Sequence, residues 1–158
     1  MEPLKLPPDV DGISETGSFT DDYLLYLLAQ ASAIASDAFH QKLATDGLSV
    51  STWRILGSLY PNKRLNVGML AHECLMKQPT LTRTLDRLVN AGLVHRLHSA
   101  TDRRGVLVEL TEEGRDVASE NVLKAKAQEA HVTRDYSSTE VAELKNMLRE
   151  LIRRSLEK

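Results

Sequence analysis

The chain is expected to fold as a mostly α-helical protein with one small β-hairpin, and three observations predict it. Phe, Trp and Tyr make up only 4% of its 158 residues. The dominant Leu, Ala, Glu, Lys and Arg favour helices packed through aliphatic seams over an aromatic-rich sandwich. Apolar residues after about residue 20 recur mainly at three- and four-residue spacing, the period of a helix face. Near Val106, Val108 and Leu110 the period drops to two, as a strand requires. The length suits one compact domain, or a small core with a dimer arm.

Residues 1–19, rich in Pro, Gly, Asp and Ser, have no apolar period and read as a flexible N-terminal arm. Thr20 is a candidate N-cap, with Asp21 and Asp22 at the favourable end of the dipole. It opens a long amphipathic helix through Leu24, Leu27, Leu28, Ala31, Ile34, Ala35, Ala38 and Phe39, ending near Gly47. A second helix covers about Val50–Tyr60 and is broken by Pro61 and Asn62. A third, short helix starts at Val67 after the candidate cap Asn66. Pro79, harmless at a first helical position, opens a fourth that runs to Asn90, and Gly92 is its left-handed cap. Leu93, Val94 and Leu97, a polar tip from His98 to Arg104, and the alternating run to Leu110 read as a two-stranded hairpin. Thr111 caps a fifth helix. Ser137 and Glu140 form a capping box for a sixth, whose seam Val141, Leu144, Leu148 and Leu151 suits packing along another helix.

Net charge is −2, but its distribution is uneven. Residues 51–115 hold ten basic and six acidic side chains, a net of +4, and the rest of the chain holds ten and sixteen. A basic middle between acidic ends suits a protein that turns one face to phosphates. The single cysteine, Cys74, allows no intrachain disulfide and is expected to be a small core residue whose apolar neighbours raise its pKa. No basic start followed by an apolar run opens the chain, and no stretch approaches the ~20 apolar residues that cross a bilayer. A cytoplasmic protein with no membrane partner is expected. His40, His72, His95, His98 and His131 make no ligand spacing with Cys74, and no triad order, phosphate-binding glycine loop or catalytic carboxylate pair is present. The expectation is no enzyme, no metal and no cofactor.

Three short helices followed by a hairpin is the order of a winged helix-turn-helix, whose last short helix enters the major groove of DNA. On the fourth helix Leu81, Leu85, Leu88 and Val89 form one stripe, which turns Thr80, Thr82, Arg83, Asp86 and Arg87 outward. Arginine pairs bidentately with guanine and threonine contacts a thymine methyl or a phosphate. Lys63, Arg64, Lys77 and Gln78, near helix ends, complete the candidate DNA surface, with the lysines and Arg64 suited to phosphate.

The run QPTLTRTLDRLVNAGLVHRLHSATDRRGVLVELTEEG resembles the MarR family of bacterial regulators. Asp102, Arg103 and Arg104 match its wing motif, and Leu110, Thr111 and Gly114 match the exit from the wing. The resemblance implies a homodimer whose first, fifth and sixth helices interlock, with two winged lobes on a pseudo-palindromic double-stranded operator. It implies that Arg104 probes the minor groove while Asp102 holds the wing arginines. The domains would be residues 48–111 as the winged lobe, and 20–47 with 112–158 as the helical dimerisation region. The resemblance also implies a repressor released by a small effector, an aromatic carboxylate or an acyl-coenzyme A thioester. Trp53 could wall its ring, Arg54 could pair with its carboxylate, and Ser36 and His40 lie late on the first helix. The alternative is a DNA-binding module set by abundance, a protein partner or Cys74 oxidation.

Overall fold

A computed structural model describes residues 18–98 and 106–157. Its elements run α1 (Phe19–Asp22), α2 (Leu24–Thr45), α3 (Val50–Leu59), β1 (Leu65–Asn66), α4 (Val67–Glu73), α5 (Gln78–Asn90), β2 (Val94–His98), β3 (Val106–Leu110), α6 (Glu112–Val132) and α7 (Ser138–Leu156). The fold is mostly helical with one small antiparallel sheet, as the periodicity predicts. Contacts divide the chain after Asp37 into two units, described separately below.

The first unit corrects one expectation. The helix starts after Ser18, not Thr20, and is interrupted at Tyr23, which takes an extended backbone between α1 and α2. Phe19 stacks on Tyr23 with ring centroids 4.8 Å apart, which holds the short α1 beside the break. Leu24, Leu25, Tyr26, Leu27 and Ile34 are all exposed.

The second unit holds the core. Ser49 accepts a hydrogen bond from the Thr52 amide at the start of α3, and Asn66 accepts one from the Met69 amide at the start of α4. Each side chain satisfies an amide that the first helical turn leaves without a partner. Leu56, Leu59, Leu70, Leu81 and Leu85 are fully buried, joined by Val94 and Val108 from the sheet. Each contributes roughly 1.5–3 kcal/mol by burial. The stripe on α5 differs from expectation at its end, since Val89 is 37% exposed and the buried fourth member is Thr84. Thr84 tolerates burial because its hydroxyl donates to the Thr80 carbonyl at 3.0 Å.

The sheet has three strands in the order β1-β3-β2, all antiparallel. The hairpin β2–β3 is the expected one, with Arg96 opposite Val108 and Val94 opposite Leu110. The additional strand, β1, is two residues long, too short to leave an alternating pattern, and is held by pairing Leu65 with Val108.

Two glycines explain how α6 leaves the wing. Gly92 takes φ +73°, the left-handed turn that ends α5. A β-carbon on Gly114 would stand 1.9 Å from the Leu93 carbonyl oxygen, so α6 can cross the hairpin base only with glycine there. Thr111 locks the crossing by accepting from the Gly114 amide at 2.8 Å and donating to the Gly92 carbonyl at 2.7 Å. The Leu-Thr-x-x-Gly pattern is therefore a packing device. No helix among the described residues is long and apolar enough to cross a membrane.

Candidate nucleic-acid interface

α5 presents two faces of opposite chemistry. Leu81, Thr84, Leu85 and Leu88 are buried against the lobe, while Thr80, Thr82, Arg83, Asp86 and Arg87 are exposed, as the stripe requires. Lys77 is the N-cap residue, and its side chain makes no capping bond. It stands exposed beside Gln78, whose carbonyl accepts from the Thr82 hydroxyl at 3.0 Å. Arg83 has no ion-pair partner among the described residues, and Arg87 reaches only the Thr84 hydroxyl, at 3.4 Å.

The one acid on this face is neutralised by a residue that sequence reasoning missed. Arg96, on β2, pairs with Asp86 at 2.7 Å and reaches the Thr82 carbonyl at 3.5 Å. The pair ties the wing to α5 and cancels a negative charge that would repel phosphates. Ten positions separate the two residues, so only the fold of the hairpin over α5 reveals the contact.

The other basic candidates are occupied differently. Lys63 pairs with Glu73 at 3.3 Å, and Arg64 with Glu109 on β3 at 2.5 Å. Both pairs are partly exposed. Asp102, Arg103 and Arg104 lie outside the described residues.

α3, the end of α4 and α6 line an open cavity of about 520 Å³. Trp53 and Arg54 line it together with Leu75, Val122, Ala125 and Lys126. Trp53 meets Phe39 edge-on at 5.3 Å, and the place where a Gly57 side chain would stand is 3.4 Å from the indole. The acids in the wall are already paired, Glu73 with Lys63 and Glu129 with Lys145. Among the described residues no acid pairs with Arg54 or Lys126. Sequence reasoning missed Lys126, because only the fold brings the middle of α6 opposite α3. His40 is outside the cavity wall, and the Ser36 hydroxyl is spent on its own helix, donating to the Ser32 carbonyl at 2.6 Å.

Cys74 also borders the cavity but is buried, and its thiol lies 3.6 Å from the Ser58 hydroxyl. Burial pushes the thiol above its ordinary pKa, as its apolar neighbours predict. A raised pKa is the opposite of what a reactive cysteine needs.

Residues 46–105 match the MarR family. The structure is similar to a MarR-family transcriptional regulator from Silicibacter pomeroyi, with a TM-score of 0.76, 38% identity, and 86% of this chain and 97% of that one covered. The chain belongs to the MarR family. It is 29% identical over 133 residues to the homoprotocatechuate degradative operon repressor of Escherichia coli, covering 83% of this chain and 88% of that protein. A further MarR-like structure is that of NadR in complex with 4-hydroxyphenylacetate, with a TM-score of 0.75, 29% identity, and 87% of this chain and 94% of that one covered. These relatives include transcriptional regulators.

Proposed function

We propose that this MarR-family chain is a homodimeric cytoplasmic repressor that binds a pseudo-palindromic double-stranded DNA operator and is released by a small aromatic carboxylate. The observation that carries the DNA reading is the face of α5. Thr80, Thr82, Arg83 and Arg87 stand exposed on a helix whose opposite side is sealed into the core, while Arg96 cancels Asp86. Such a helix fits the major groove, with Arg83 and Arg87 reaching base edges and Lys77 with Gln78 near the backbone. Arg103 and Arg104 of the wing add phosphate and minor-groove contacts.

The effector reading rests on the cavity. Arg54 and Lys126, which have no acid partner among the described residues, line the cavity together with Trp53, a combination that suits a carboxylate attached to a ring. A cavity of about 520 Å³ has room for such an acid. The names of the relatives support the same chemistry, since NadR was solved with 4-hydroxyphenylacetate and the Escherichia coli relative is named the homoprotocatechuate degradative operon repressor.

Binding-site selection from a random duplex library tests the DNA reading. Wild type should recover a two-fold site with half-site centres about one helical turn apart. Lys77→Ala should weaken all sequences alike, and Arg83→Ala should relax the preference at two dyad-related positions. Recovery of no preferred sequence by wild type would defeat the reading. Titrating 4-hydroxyphenylacetate and phenylacetate into the selected complex then tests release.

A further inference from the structure

The cavity that we assign to the effector also touches the turn between α4 and α5. α4 ends with the Met76 amide donating to the Ala71 carbonyl at 2.9 Å and the Leu75 amide donating to the His72 carbonyl at 3.1 Å. This pattern requires left-handed backbone at the residue after the cap, where glycine is the usual occupant. Here the occupant is Leu75, with φ +54°. A β-carbon in that conformation adds strain that glycine avoids.

Burial does not compensate Leu75 for the strain. It is 80% exposed, whereas Cys74 before it is fully buried and Met76 after it packs against the core. The turn is thus anchored on both sides and carries one large apolar side chain outward. Leu75 is among the residues that border the cavity, with Trp53, Arg54 and Lys126. Gln78, the first residue of α5, is three positions further on.

We propose that Leu75 is the contact through which an aryl carboxylate in this cavity acts on α5. The proposal rests on the effector reading given above. Arg54 and Lys126 hold the carboxylate, and the ring covers Leu75. The turn then leaves its strained conformation and carries the start of α5 out of register with the groove. A ligand shifts an equilibrium only by its differential interaction with the two states. Leu75 supplies that difference twice, through apolar surface that the ligand covers and strain that the shift relieves.

The test uses phenylacetate as probe, calorimetry for binding, and the ratio of operator affinities without and with saturating phenylacetate for coupling. Each variant's own ligand-free affinity is its reference. Wild type should bind phenylacetate and show a ratio well above one. Leu75→Gly and Leu75→Asn, which both tolerate left-handed backbone, should bind phenylacetate about tenfold more weakly, the order expected when a leucine loses its cover. At saturation their ratio should fall below about two. Leu75→Met should keep the wild-type ratio, because it preserves the apolar contact. If wild type and Arg54→Met alike fail to bind phenylacetate, the effector reading itself fails. If phenylacetate binds but Leu75→Gly and Leu75→Asn retain the full ratio, that reading stands and the role of Leu75 is overturned. A changed sedimentation mass for Leu75→Gly would also overturn it, by making the side chain an interface between copies.

Discussion

The winged lobe and the C-terminal helices draw on the same aliphatic residues and end in opposite states. In the lobe, Leu56, Leu59, Leu70, Leu81 and Leu85 are fully buried by neighbours from the same chain. α7 buries none of its residues, and Leu144, Met147, Leu151, Ile152 and Leu156 all stand exposed. α6 shows the change along one helix. Its buried residues Gly114, Ala118 and Asn121 all lie in its first half, where it crosses the lobe, and none follows. Short helices joined by tight turns can fold back on one another, whereas a helix of 21 residues spans about 32 Å and outruns the core that buries its start. The lobe is covered by its own chain, whereas α7 leaves its apolar side chains open, as the proposed homodimer requires.

The largest expected effect breaks the lobe. Leu85→Ala removes a fully buried side chain from α5 and should lower unfolding stability by about 2–5 kcal/mol in urea denaturation. An equal loss from Leu151→Ala on α7, measured at a protein concentration too low for association, would erase the distinction between the two regions.

Association is the next point to break. Replacing Leu144 and Leu148 together by Glu should halve the mass seen in sedimentation, or leave chains that fold only as isolated lobes. Wild type should also melt at a temperature that rises with protein concentration, since association stabilises the folded state. An unchanged mass for the double variant would remove α7 from the interface.

The lobe's function should be sensitive where its fold is not. Arg83→Ala should cost on the order of 1–3 kcal/mol of discrimination at one base pair of each half-site, with little change in melting temperature. Arg104→Ala should flatten the dependence of log affinity on log salt by about one unit if its contact is to a phosphate. The same slope with lower affinity would move Arg104 to a base edge.

The smallest effect concerns pH and α7. The Ser137 hydroxyl and amide hold the Glu140 carboxyl below its ordinary pKa, and Arg153 and Arg154 do the same for Glu150. Because the folded values are depressed, this stabilisation is complete above the ordinary value of 4.5 and is lost as pH falls through the folded values. Helical circular dichroism should therefore decline slightly as pH falls below about 4.5. In Glu140→Gln that decline should shrink.

Local chemistry made much of this fold legible. The caps Asn66, Thr111 and Ser137 act at the helix starts assigned from sequence, since a capping side chain needs only the amides two or three residues ahead. The exposed face of α5 follows from the spacing of three leucines. Val89 broke the pattern because a stripe read at 3.6-residue spacing cannot show where the covering core ends. The break at Tyr23 was illegible, since nothing in FTDDYLL stops a helix by itself. Of the effector residues expected, Trp53 and Arg54 meet in one cavity, while Lys126 and Leu75 escaped notice because their significance depends on elements distant in sequence.

Sequence by itself determined the helix starts at Asn66, Thr111 and Ser137, the glycine turn at Gly92, the strand period of β3 and the charged face of α5. Each depends on residues within about one helical turn or one strand repeat. Tertiary structure alone decided that Arg96 would neutralise Asp86, that Gly114 would lie against the Leu93 carbonyl, and that Leu75 would border the same pocket as Arg54 and Lys126. The physical reason is range. Capping and amphipathic period act through neighbouring backbone, whereas charge pairing, close approach and cavity walls depend on distances that exist only once the chain has folded.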